Sequence, residues 1–299
     1  MAYFLQLAFA GVAQGCIYAL IGLGFSMIFK ASQVINFAQG ELLLVGTYVV
    51  ASAVLNWHLP FWLALPLGLL VTIVIGLLFE RLVLRRMIGR PPFTVLMITI
   101  GLDIILRTLV IVGWGSRTIP AATPFSVTSG FNVAGVHLGS SDLWTIAVTI
   151  VLCIALYYFF RHTRYGLAMR ATALDQEAAL AIGIDVRSIY ALAWGLAAAI
   201  TTLGGVLLAI DSLAIDPNFG NAALVAFPAI ILGGLDSVSG AVVGGVIIGL
   251  TSVLTAGYES RLPAIVGTGL HEVTPYLLMI LILLIRPYGL FGSRKVERV

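Results

Sequence analysis

The stretch LQLAFAGVAQGCIYALIGLGFSMIF, residues 5–29, contains no charged side chain. As an α-helix rising about 1.5 Å per residue, it is long enough to cross the roughly 30 Å hydrocarbon core of a membrane. Of the 299 residues, 60% are hydrophobic and only 10% are charged, whereas soluble proteins carry about 25% charged residues. The composition therefore excludes a soluble enzyme, a secreted disulfide scaffold and a disordered protein.

Apolar runs of similar kind recur between the charged residues of the chain. We predict about eight full spans, at residues 5–29, 41–56, 61–79, 93–114, 142–160, 188–210, 238–257 and 272–286. A shorter run, 222–235, contains Pro228, Gly233 and Gly234, so we expect a broken or re-entrant helix there. The sequence thus predicts an all-α, polytopic transmembrane helical bundle in which residues 1–299 form a single domain.

The positions of the basic residues predict the orientation of the bundle. Thirteen of the sixteen Lys and Arg residues lie after the first, third and fifth spans or at the C-terminus: Lys30, Arg81, Arg85, Arg86, Arg90, Arg161, Arg164, Arg170, Arg187, Arg286, Arg294, Lys295 and Arg298. The loops 115–141 and 258–271 carry one arginine each. Because basic residues concentrate in cytoplasmic loops, we expect the N-terminus outside and the C-terminus in the cytoplasm. That alternation requires 222–235 to reach the cytoplasmic side.

Patterns typical of enzymes and of nucleic-acid binding are missing from the sequence. The two lysines do not follow a glycine, so there is no GxxxxGK[ST] phosphate-binding loop. The four histidines are scattered, without metal-ligand spacing, at positions 58, 137, 162 and 271. We therefore expect no catalytic, cofactor-binding or metal-binding residue in this chain. The basic residues are dispersed between spans and indicate no nucleic-acid partner.

The loop 161–187 is the longest one predicted on the cytoplasmic side. Its segment 168–182 is rich in Ala, Leu and Met and predicts one short helix, which Gly183 would end. Such a projecting helix suits the docking of a soluble partner. The alternative is a solvated interfacial helix at the edge of the bundle.

Several stretches resemble a known family of membrane proteins. Glu177, Ala178 and Ala179, followed by Gly183, match the EAA-xxx-G motif of ABC importer permeases, which forms the coupling helix that docks on the ATPase. The wider resemblance is to LivH-type branched-chain amino acid permeases, and it covers residues 15–49, 163–185, 227–250 and 286–292. One departure is Gln39, where the family's INFAHGE-like motif has histidine. Glutamine still donates and accepts hydrogen bonds.

The resemblance implies a function and a set of partners. It implies a permease subunit of an ABC importer that carries branched-chain amino acids across the bacterial inner membrane. Similar permeases carry urea, short amides or aromatic acids, so these substrates are the alternative. The implied partners are a LivM-like second permease, two LivG/LivF-like ATPase subunits that bind ATP and Mg, an extracytoplasmic substrate-binding protein and membrane lipid. The residues implied to couple to the ATPases are Arg170, Asp175, Glu177, Ala178, Ala179 and Gly183.

Two groups of polar residues are candidates for the translocation pathway. The stretch INFAQGE places Asn36, Gln39 and Glu41 at the start of an apolar span, where they either line a broken helix or cap it. Asp103 and Arg107 lie at i and i+4 inside another span. They are expected to pair, because a lone charge at mid-bilayer costs about 3 kcal/mol. The pair would act as a gate or as a structural contact.

A second interrupted region, 211–237, strengthens the pathway hypothesis, because paired interruptions in two halves of a transporter often mark its binding site. Small residues in 203–206 and 240–249 predict close helix packing, either within the chain or against a second permease.

Two other functions remain open. A secondary transporter or channel working alone would carry more ionisable residues near mid-bilayer, and a structural subunit would tolerate changes at Asn36, Gln39 and Glu41.

Overall fold

The computed structural model describes residues 2–87, 91–124, 130–133, 136–259 and 269–292. In these ranges the helices are α1 (Ala2–Ser32), α2 (Gln39–Leu55), α3 (Phe61–Leu82), α4 (Pro92–Trp114), α5 (Ser140–His162), α6 (Arg164–Leu174), α7 (Gln176–Ala181), α8 (Val186–Ser212), α9 (Ala222–Gly233), α10 (Val238–Glu259) and α11 (Leu270–Ile285). Short 3₁₀ turns cover Leu84–Met87 and Phe219–Asn221. Five basic residues used to predict the orientation lie outside the described residues: Arg90, Arg261, Arg294, Lys295 and Arg298.

All nine apolar segments predicted from the sequence are helical, so the helical-bundle prediction is confirmed. Among the described residues, six helices are long and apolar enough to cross a membrane: α1, α3 with its 3₁₀ turn, α4, α5, α8 and α10. The predicted short helix at 222–235 is observed as α9. However, α2 and α11 have only 17 and 16 residues, about 25 Å as helices. The expected count of about eight full spans is therefore not confirmed.

Helices α1 and α8 form the centre of the bundle. In their most apolar windows 83% and 72% of the residues are buried, against 17% for α4 and 22% for α5. Glycines let α1 and α10 approach closely, since a Cβ added at Gly15 would lie 2.6 Å from Val246 Cα. The predicted small-residue stretch 240–249 therefore packs within the chain.

The helix ends gather at two opposite ends of the bundle. At one end Lys30, in the last turn of α1, lies with its ammonium 4.7 Å from the ring centre of Phe160 near the end of α5. At the other end the Tyr3 hydroxyl donates to the Gly257 carbonyl oxygen over 2.8 Å. The short linker between α5 and α6 places the 161–187 segment at the Lys30 end. Lys30 and the basic segment 161–187 thus lie at the same end of the bundle, as their shared basic character in the sequence requires.

The segment 115–141, predicted as a loop, contains short strands in its described part. Strand β1 (Ile119–Pro120) pairs antiparallel with β4 (Ala214–Ile215), and β2 (Gly130–Val133) pairs antiparallel with β3 (Val136–Gly139). The pairing supplies hydrogen bonds for backbone groups outside the helices. It also connects the chain after α4 to the chain after α8.

Candidate functional site

The chain turns back into the bundle between α1 and α2. Helix α1 ends at Ser32, but Gln39 packs beside Gly24, eight residues and about 12 Å before that end. In the turn, Asn36 Oδ1 accepts a hydrogen bond from the Ala38 N–H over 3.1 Å. This local bond reverses the chain as an Asx turn rather than capping α2. Helix α2 therefore begins inside the bundle, and Glu41 lies in its first turn.

Gln39 joins three helices at this point. Its Oε1 accepts from Asn36 Nδ2 over 2.9 Å, and its Nε2 donates to the Ala197 carbonyl oxygen over 3.3 Å and to the Thr201 hydroxyl. Gln39 is fully buried, and a side chain at Gly24 of α1 would collide with the Gln39 amide and with Thr201. The amide thus accepts from the preceding turn and donates to α8, while Gly24 lets α1 pack against it.

Glu41 and Arg107 form an ion pair between α2 and α4. Arg107 Nε donates to Glu41 Oε1 over 3.1 Å, and Arg107 Nη2 donates to Asn221 Oδ1 over 2.8 Å. The Glu41 side chain is 1% exposed and that of Arg107 is 33% exposed. Glu41 Oε2 is buried without a hydrogen-bond partner in the described structure. A buried carboxylate of this kind requires a close cation.

The predicted ion pair between Asp103 and Arg107 is wrong. Although the two side chains are four residues apart on α4, the described residues contain no ion pair between them, and Arg107 pairs with Glu41 instead. The reason is burial: Glu41 is almost fully enclosed, whereas Asp103 is only partly buried on the outer helix. The more deeply buried carboxylate has the larger desolvation cost to offset.

The two interrupted regions predicted from the sequence meet at this ion pair. Gly40 packs against the backbone of Gly220, and a Cβ added at Gly220 would lie 2.7 Å from Glu41 Oε1. Gly220 lies in the 3₁₀ turn Phe219–Asn221, which leads into α9. Two short helices, α2 and α9, thus start next to each other inside the bundle, beside a charged pair.

Sequence reasoning did not identify Thr99, Thr201 and Asn221 as members of this site. Thr99 Oγ1 accepts a hydrogen bond from the Phe37 N–H over 3.2 Å. Thr99 and Thr201 lie within long apolar helices, where a threonine is common and gives no positional signal. Asn221 ends the run DPNFGN inside the interrupted region, and that polar run is a signal that could have pointed to it.

The predicted coupling segment consists of two helices rather than one. The expected single helix over 168–182 is wrong, because α6 ends at Leu174 and α7 starts at Gln176. Asp175 lies between them with extended backbone, and its Oδ1 accepts from the Ala178 N–H over 2.9 Å. An aspartate that caps a new helix in this way competes with continuation of the previous one.

Gly183 ends α7, as predicted. It has a φ of +85°, its N–H donates to the Leu180 carbonyl oxygen over 3.0 Å, and the Ile184 N–H donates to the Ala179 carbonyl oxygen over 3.0 Å. These two bonds are the Schellman pattern, which favours glycine at this position.

The surface around α7 is exposed and partly apolar. Leu174, Leu180 and Ile182 are 89%, 54% and 74% exposed. Of the predicted coupling residues, only Ala179 is buried, and the exposed ones are Arg170, Asp175, Glu177, Ala178 and Gly183. A cluster of exposed apolar side chains beside charged ones is typical of a protein-binding surface. Among the described residues, no group of three His, Cys, Asp or Glu side chains could hold a metal ion.

Comparison with known proteins identifies the family. The family profile described as "Branched-chain amino acid transport system / permease component" matches residues 7–283. The chain is 34% identical to the high-affinity branched-chain amino acid transport system permease protein LivH of Salmonella typhimurium, over 99% of this chain and 98% of that protein. It is 26% identical to LivM of the same organism, over 94% of this chain and 69% of that protein.

Among solved structures, the chain is similar to PsaBC from Streptococcus pneumoniae in complex with Fab, with a TM-score of 0.49 and 16% identity over 96% of this chain and 93% of that one. The family match and the six long apolar helices make this a multi-pass membrane protein. The match covers all of the helices that build the polar site, as well as the segment 161–187. The chain belongs to the family of permease components of branched-chain amino acid transport systems.

Proposed function

We propose that this chain is a transmembrane permease subunit of an ABC importer that carries branched-chain amino acids across the bacterial inner membrane. The observation that carries the proposal is the meeting of two interrupted helices at a buried ion pair, within a chain that is similar over its whole length to LivH. An interruption inside the bundle supplies polar groups that a translocation pathway needs and a lipid-facing helix does not.

The pathway in this proposal passes the Glu41–Arg107–Asn221 cluster. Arg107 is one-third exposed, so it can face a water-filled path when the transporter changes conformation, and Asp103 lies one turn before it on α4. Asn36 and Gln39 are buried at 1% and 0% exposure. We assign them to holding the start of α2 in place, because their side chains bond to each other and to α8. Glu41 is equally buried, and we assign it to the pathway through its ion pair with the part-exposed Arg107.

The α6–α7 segment is the proposed docking site for an ATPase subunit. The residues assigned to coupling are Arg170, Asp175, Glu177, Ala178, Ala179 and Gly183. Docking by a short, rigidly capped helix would pass the motion of the ATPase to the bundle as a rigid-body movement. This assignment places the α6–α7 end of the bundle and the C-terminus in the cytoplasm and the N-terminus outside.

The proposal requires other chains. A LivM-like permease would supply the second half of the pathway, two LivG/LivF-like ATPases would bind ATP and Mg and hydrolyse ATP, and an extracytoplasmic binding protein would deliver the substrate. The present chain, 1–299, acts as one permease domain and is not itself an enzyme. Similarity to both LivH and LivM supports a pair of related permeases.

Co-purification from native membranes tests this function. The tagged chain is isolated in mild detergent beside a variant that carries Glu177→Arg and Gly183→Trp, and bound proteins are identified by mass spectrometry. We expect P-loop ATPases and a second permease with the native chain, and loss of the ATPases alone from the variant. Leucine uptake by the chain alone in liposomes without ATP would instead support a stand-alone secondary transporter.

A further inference from the structure

A cleft of about 800 Å³ lies at the α6–α7 end of the bundle, away from the polar site. Its floor is the end of α1, and its walls are α5 and α10, both of which pack on α1. The segment that follows α11 contributes Phe291 to its lining. None of the residues assigned to the translocation pathway lines this cleft, whereas Arg170, which is assigned to ATPase coupling, does.

The cleft is basic at the level where the helices end. Lys30, Arg161 and Arg170 line it, and Asp236 is the carboxylate among its described lining residues. Lys30 is half-buried, its ammonium lies over the Phe160 ring at 4.7 Å, and it makes no ion pair within 4.0 Å among the described residues. Three cations against one carboxylate leave an excess of positive charge that favours an anion.

The walls below these cations are apolar. On α5 the lining residues Cys153, Tyr157 and Phe160 recur every three to four residues and so share one face of the helix. On α10 the facing residues are Val238, Val242 and Val243. Tyr157 and Val243 remain 53% and 38% exposed. The cleft thus has a cationic mouth at the ends of the helices and an apolar groove below it, between α5 and α10.

We propose that this cleft binds the phosphate group of an anionic membrane phospholipid, with its headgroup against Lys30, Arg161 and Arg170 and its acyl chains along α5 and α10. Basic pockets between transmembrane helices are suited to lipid phosphates because the charge lies at headgroup depth. The hydroxyl of Ser239 also lines the cleft and can donate to a phosphate oxygen. A soluble phosphate would use the cations but leave the apolar walls uncovered, so the lipid is the favoured source.

Lipid retention by the purified transporter complex tests this proposal. The complex is washed with detergent, and binding is followed by native mass spectrometry and by the shift in Tm on adding phosphatidylglycerol, phosphatidylcholine or inorganic phosphate. The variants are Lys30→Met, which keeps the apolar stem, and Arg161→Gln. Arg170 is left in place so that the proposed ATPase docking surface is unchanged. Arg164→Gln, an exposed arginine at the same end that does not line the cleft, is the matched control.

We expect selective retention of phosphatidylglycerol by the native complex and by Arg164→Gln, and an affinity about fivefold weaker for each charge removed by Lys30→Met or Arg161→Gln. Lys30→Arg should restore binding, which separates loss of charge from loss of folding. Equal retention in native and Lys30→Met complexes would overturn the site. A Tm shift with inorganic phosphate but none with phosphatidylglycerol would overturn the lipid assignment.

Discussion

The helical chain is interrupted inside the bundle at 33–38, before α2, and outside it on the two sides of α7, at 175 and 182–185, and the inner and outer interruptions depend on different contacts. Inside, the side chains of Gln39 and Glu41 reach partners 162 and 66 residues away along the chain. Outside, Asp175 and Gly183 bond to backbone groups only three residues away. The buried interruption is therefore part of the tertiary structure, whereas the exposed one is formed locally. Variants in the first should affect the whole bundle, and variants in the second should affect α7 alone.

The largest effect is expected from Arg107→Ala. It leaves the Glu41 carboxylate buried without its cation, and breaking a buried pair from one side costs about 3–5 kcal/mol. We expect a large fall in the Tm of the detergent-solubilised complex and loss of leucine uptake in proteoliposomes.

A double variant separates the charge from the packing at this pair. Glu41→Gln combined with Arg107→Ala removes the unpaired charge, so its Tm should lie above that of Arg107→Ala alone. If the double variant were less stable than Arg107→Ala, the pair would not act through the buried charge. That result would remove the main difference between the two interruptions.

A smaller global effect is expected from Gly24→Ala. The added methyl would collide with the Gln39 amide and with Thr201, and overpacking of this kind costs about 1–3 kcal/mol. The matched control is Gly101→Ala on α4, where an added Cβ meets nothing within 4 Å. Thermal unfolding should separate the two variants, with the control equal to or above the native protein, because alanine favours a helix over glycine. Equal losses of Tm in the two variants would contradict the proposed close packing of α1 against Gln39.

The smallest effect is expected from Asp175→Ala in the exposed interruption. Loss of a helix N-cap costs about 1 kcal/mol, and the loss should be confined to α7. Hydrogen exchange of the α7 amides should become faster while the Tm of the bundle stays the same. Asp175→Asn, which can still cap the helix, should exchange like the native chain. A fall in the Tm of the bundle with Asp175→Ala would show that the structure of this segment depends on more than its local contacts.

The same difference explains how much could be predicted from the sequence. The helices follow from apolar runs, and the end of α7 follows from Gly183, because these signals lie within a few neighbouring residues. The partner of Arg107 could not be predicted, since the choice between Asp103 and Glu41 depends on which carboxylate is buried. Thr201 was missed because a threonine within an apolar helix gives no signal of its partner, which is Gln39 here. The break at Asp175 could have been predicted from its capping side chain, but the helical propensity of the surrounding alanines favoured one continuous helix.

The measurement that tests the account most directly compares Glu177→Arg with Glu41→Gln in the reconstituted transporter, with ATPase retention and ATP-driven leucine uptake followed in the same samples. We predict that Glu177→Arg loses the ATPases while its Tm is unchanged. Glu41→Gln should keep the ATPases but lose uptake by about tenfold or more, because it removes the negative charge that pairs with Arg107 in the pathway, although an amide oxygen can still accept the Arg107 hydrogen bond. ATPases and uptake retained in Glu177→Arg, or full uptake in Glu41→Gln, would contradict the assignment of docking to the exposed interruption and translocation to the buried one.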